Sequence, residues 1–158
     1  MRAKLLRAAV AGIALILTGH TAAAAAGDPV DACLKSETAA NRDAHGCIGR
    51  MATACTAKPA GQSTVGESDC AQQEAQVWDK LLNSEYGALL RLMKPEAAED
   101  LRKAQRIWVT SRDADCRIPY YFYEGGSIVQ ILGARCLLDR TAERALLIRS
   151  WHEMAKGE

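Results

Sequence analysis

Six cysteines, three histidines and one run of four aromatic residues are the side chains with most to offer chemically in this 158-residue chain. The cysteines (Cys33, Cys47, Cys55, Cys70, Cys116 and Cys136) all follow residue 26. An even set of thiols is expected to form bridges wherever the chain meets an oxidising compartment. Composition alone leaves many pairings open. The sequential one, Cys33 with Cys47, Cys55 with Cys70 and Cys116 with Cys136, is favoured because each bond then ties neighbouring helices across a short connection. A zinc site built from His45, Cys47 and Cys55 is the rival reading, weakened by the lack of any Cys-x-x-Cys pair. Hydrolytic signatures are missing: the chain has neither a Gly-x-Ser-x-Gly elbow nor a His-Glu-x-x-His motif. Asp113 and Asp115 stand two residues apart, so on a helix they point to different sides and do not face one bond. No catalytic residue, metal or cofactor is therefore assigned.

The aromatic run is the strongest candidate for binding. Four of the eight aromatic residues fall at Tyr120, Tyr121, Phe122 and Tyr123, between Pro119 and Gly125-Gly126-Ser127. Tyrosine presents a broad apolar face with a polar tip and is enriched at binding hot spots. Arg117, Glu124 and Ser127 add donors and acceptors around the rings. The competing reading folds the segment back so that its rings cap the protein. Asn83, Gln105, Arg112, Asp113 and Arg144 interrupt otherwise apolar helical faces, and the simplest account is that they satisfy one another inside or at the rim of the fold. Trp78, Trp108 and Trp151 lie on apolar stripes and are expected in the core.

The elements that must hold these residues read as helices. Asp28-Pro29 is a capping side chain followed by proline at the first helical position. It opens a short helix over residues 30–40, and a second, interrupted by Gly46 and Gly49, reaches Cys55. Residues 58–68 (KPAGQSTVGES) read as a loop. Apolar residues at intervals of three and four then mark helices over 69–93, 95–116 and 127–151. Leu101, Ala104, Trp108 and Arg112 share one face of the second of these. Only residues 120–123 have a strand-like composition. The fold class is all-α, a small disulfide-tied helical bundle: one domain over 27–158, with an N-terminal extension at 27–60 and main helices within 69–156.

Residues 1–26 have the cationic start, apolar middle and alanine-rich end of a secretory signal peptide. Losing Arg2, Lys4 and Arg7 with it leaves 17 basic against 19 acidic residues, a net charge of about −2. Such a balance offers no basic face for nucleic acid. Leu17-Thr18-Gly19-His20 is similar to a lipoprotein processing site but carries His20 in place of the lipidated cysteine. The expectation is a periplasmic or secreted protein without a stable membrane anchor.

Leu82-Asn83-x-x-Tyr86 is followed by Gln105-x-x-Trp108-x-x-x-Arg112-Asp113-x-x-Cys116, then Gly125-Gly126-Ser127, Cys136 and Thr141-x-x-Arg144. Together these resemble the LprI-like lysozyme inhibitor family of secreted bacterial proteins. Cys55, Thr64, Glu67 and Cys70 are similar to its opening cysteine segment. The resemblance spans the C-terminal half to two-thirds of the chain and leaves out the piece carrying Cys33 and Cys47. It implies a compact helical domain with lysozyme as its protein partner. Tyr120 to Glu124, Ser127 and Arg117 are then the contact set, and Glu124 with the mild negative charge suits a basic lysozyme surface. The alternative function is a structural or stress-related envelope module that binds another protein.

Overall fold

The computed structural model describes residues 28–157, all of whose regular elements are helical. The expected signal peptide lies outside the described residues. Helix α1, Pro29–Ala39, starts where Asp28 accepts hydrogen bonds from the backbone of Val30 and Asp31. A 3-10 turn, Ala44–Cys47, leads to Gly49, whose φ of 81° lies in the left-handed region that favours glycine. Helix α2, Arg50–Thr56, follows, then a 3-10 turn over Pro59–Gly61.

Helix α3, Thr64–Leu92, begins well before the position expected from hydrophobic periodicity. Ser63 caps it by accepting from the Gly66 backbone at 3.0 Å. The glycines in this stretch serve close packing: a Cβ on Gly66 would strike the Ala60 carbonyl oxygen, and one on Gly61 the Cys55 carbonyl. The expected loop is therefore largely a turn and a helical start. Helix α4, Pro95–Asp115, begins after a two-residue connection. The one-turn helix α5 spans Pro119–Phe122. Helix α6, Ile128–Lys156, ends at Gly157, whose φ is 83°.

The core sits between α3 and α6, each 29 residues long, or about 43 Å at the helical rise. The two run parallel, because Glu67 pairs with Arg135 near one end and Glu85 with His152 toward the other. Parallel neighbours need a long return path, and α4 supplies it. Ala71, Trp78, Leu82 and Leu89 of α3 meet Ala134, Leu138, Ala142, Ala145 and Ile148 of α6. The alanines let the helices approach closely while Trp78, with no exposed surface, fills the middle. Val30 and Leu34 of α1 and Ala52 of α2 extend the same core, so the N-terminal extension is part of it.

All three expected bridges are present: Cys33–Cys47, Cys55–Cys70 and Cys116–Cys136. They consume Cys47 and Cys55 in different bonds, which dismantles the rival zinc set, and His45 instead bonds Asp43. Helix α4 is the most loosely seated long element. It buries only Ala98 and Leu101. Ala104, expected on its inner face, is exposed, because the inward stripe runs through Leu101, Gln105, Trp108 and Arg112 instead.

Candidate functional site

The aromatic segment hangs between two fixed points. Cys116, at the end of α4, is bonded to Cys136 on α6. Pro119 starts α5, where Tyr120 and Tyr121 donate backbone hydrogen bonds to Arg117 and Ile118. These local bonds, with proline at the first helical position, make residues 119–122 one helical turn where the composition suggested a strand. The chain then turns through Gly125, at φ 76°, and enters α6.

This geometry separates the four rings. Tyr120 lies back on α6 over Gly133, where an added Cβ would come within 3.3 Å of the ring. Tyr121 and Phe122 point away from the protein and are 77% and 75% exposed. Tyr123, Ile118 and Ile128 are about half-exposed and add to this apolar surface. Glu124 and Ser127 are exposed at the turn, and Ser127 makes no side-chain cap to α6.

Behind the rings lies a groove. Its first part, about 460 Å³, is lined by Ser68 and Gln72 of α3, Asp113, Arg117 and Tyr120, with Gly133 and Ala134 among its α6 residues. Gln72 and Leu137 also line the adjoining part, about 430 Å³, which continues past Asp79, Lys80, Arg112 and Thr141.

Four of the five polar residues singled out in the sequence meet around Trp108. Arg112 stacks over that ring at 5.0 Å and pairs with Asp113 at 2.8 Å. Arg144 lies 5.6 Å from both Trp108 and Trp151 and donates to Gln105 Oε1 at 3.0 Å. Burial pushes the Arg144 guanidinium below the ordinary arginine value. Its Nη2 is buried without a hydrogen-bond partner among the described residues, so the rings provide its compensation. Asn83 stands apart, exposed and bonded to Asp79. Asp113 and Asp115 are held by different arginines, Arg112 and Arg140.

Sequence reasoning missed Glu74. It is fully buried, with Oε1 accepting from the Gly49 backbone at 2.7 Å and Trp78 Nε1 at 3.0 Å, and Oε2 accepting from the Ala52 backbone at 2.6 Å. It thereby satisfies the open amides at the start of α2. The available signal was its place on the stripe of Cys70, Ala71, Trp78 and Leu82. Glu37 was missed likewise; it is buried and paired with Arg42 and Arg50.

The domain is thus all-helical and disulfide-tied, with an exposed aromatic end and an open groove behind it. The family description "Lysozyme inhibitor LprI" matches residues 55–146, more than half of the chain, and the protein belongs to that family. The family is one of inhibitors rather than enzymes. An uncharacterized protein of Rhizobium meliloti (strain 1021) is 28% identical over 127 residues, covering 70% of this chain and 91% of its own. No solved structure matches.

Proposed function

We propose that this protein is exported and inhibits lysozyme by seating the segment of residues 117–127 against the enzyme's glycan-binding cleft. The observation that carries the reading is the exposure of Tyr121 and Phe122 on a segment braced by the Cys116–Cys136 bond. Large apolar rings held in water gain by burial against a partner, and a braced segment loses little freedom on binding. Inhibition of this kind needs no chemistry from the inhibitor. It needs shape and a few polar contacts, for which Arg117, Glu124 and Ser127 are placed around the rings. Export is supported by the N-terminal pattern and by the three disulfides, which suit an oxidising compartment. No helix among the described residues is long and apolar enough to cross a membrane.

The test is lysis of a peptidoglycan suspension by several lysozymes, with and without the oxidised protein. Slower lysis is expected, and Tyr121→Ala combined with Tyr123→Ala should abolish it without lowering the melting temperature. A folded protein that slows none of the lysozymes would reassign the aromatic end to another envelope partner. Loss of stability in the double variant would make the rings part of the fold.

A further inference from the structure

The groove behind the aromatic end has a chemistry of its own. Its floor includes Gly133, Ala134 and Leu137 of α6, an apolar strip. Its walls carry the planar amides of Gln72 and Gln130, the guanidinium of Arg117 and the phenol of Tyr120. Ser68 joins two of these walls: its hydroxyl accepts from Gln72 Nε2 at 3.0 Å and donates to the Gln130 backbone carbonyl at 3.3 Å. That bond fixes the Gln72 amide and leaves its Oε1 to accept from elsewhere. Among the described residues, no intramolecular partner is found for the side-chain polar groups of Gln130, Arg117 or Tyr120.

Charge narrows the class of ligand. Arg112 and Asp113 answer each other's charge, and the other charged residues on the lining, Asp79, Lys80 and Arg117, are of both signs. The remaining lining is rich in neutral donors and acceptors and carries no concentration of one sign. A strongly anionic or cationic ligand would find little to oppose it. A ligand with apolar ring faces, edged by hydroxyl and amide groups, would satisfy both the strip and the walls. Together the two parts of the groove have room for more than one such ring.

We infer that the groove between α3 and α6, bounded by Arg117 and Tyr120, is a binding site for a neutral oligosaccharide. The site adjoins the surface assigned to lysozyme and shares Arg117 and Tyr120 with it, but does not depend on that assignment. Gly133 lies under the end wall of the groove. A Cβ there would come within 3.3 Å of the Tyr120 ring and hydroxyl, so the glycine lets the end wall sit close against α6.

The experiment is a titration of the oxidised protein with chitotetraose and, separately, cellotetraose, followed by two-dimensional amide NMR. Saturable shifts are expected at Gln130, Gly133 and Ala134 with at least one of the two. Gln72→Ala combined with Gln130→Ala should weaken that binding about tenfold or more, while Gln72→Asn should retain part of it. Both glutamines are exposed, and unchanged melting and an unchanged effect on lysozyme would keep this result separate from the aromatic surface. No saturable shift with either sugar, or shifts confined to residues 121–124, would overturn the proposal. If the double variant failed to fold, the map of shifts on the unaltered protein would still decide. A stronger response to a short acidic peptide at the same amides would likewise overturn it in favour of a peptide groove.

Discussion

Two buried carboxyl groups show how single residues hold the N-terminal part of the molecule. Glu74 gathers three donors in a fully buried place, two of them backbone amides at the entry to α2. Truncating it leaves those donors without partners, each at a cost of about 1–3 kcal/mol. Glu74→Ala should therefore lower stability by roughly 3–5 kcal/mol, read as a drop in the urea midpoint. Glu37 makes a pH-dependent contribution. Its hydrogen bond with Arg42, aided by the charges of Arg42 and Arg50, holds its carboxyl below the ordinary value of 4.5. The unfolded chain then binds the proton more readily, so this contribution is complete above about pH 4.5 and is lost as pH falls through the lower folded value. Asp139 acts in the opposite sense, since burial and then the nearby Glu143 raise its carboxyl. Its contribution favours the fold in acid and disappears as pH rises. Glu37→Gln should consequently reduce the stability lost between neutral pH and about pH 3, measured by urea unfolding at both.

At the scale of elements, α4 depends on a few particular contacts. It buries two residues outright, and the ladder of Arg112, Trp108, Arg144 and Trp151 supplies much of the rest of its attachment to α6. Trp108→Ala removes the ring that both arginines face. A loss of about 2–4 kcal/mol is expected, given that the ring is only partly buried. Amide exchange should quicken along α4 while the α3 and α6 cores stay protected, the pattern of a local opening. If exchange instead rose uniformly, α4 and the central pair would unfold as one unit. The helices themselves were legible from periodicity: α4 ends within a residue of its expected end, and Lys94-Pro95 marks its start. The early start of α3 was not legible, because Ser63, Thr64 and Gly66 read as loop punctuation while serving as cap, first turn and close-packing site.

Across the whole molecule, the disulfides bind peripheral pieces to a central parallel pair. Cys116–Cys136 closes a loop spanning 20 residues that contains all of α5 and the aromatic turn. Replacing both cysteines by serine should cost roughly 3 kcal/mol on the chain-entropy account. The sharper expectation follows from the proposed function: the exposed rings would keep their chemistry but lose their brace, so slowing of lysozyme should weaken more than tenfold while α3 and α6 remain folded. Comparing inhibition with circular dichroism for that double variant checks it.

Helix content, the sequential bridges and the membership of an inhibitor family were all readable from residues near one another in the chain. Periodicity, capping pairs and motif spacing are local properties, written in consecutive positions. Tertiary structure alone decided that α3 and α6 run parallel, that α1 joins their core, and that Glu74 lies inside rather than on the helix surface. It also sent Tyr121 and Phe122 outward while laying Tyr120 on Gly133. Each of these outcomes depends on which distant surface a face meets, and a helical stripe specifies that a face is covered without specifying by what. The groove is the extreme case. Its walls come from α3, the end of α4, α5 and α6, and nothing in any one segment marks them as neighbours.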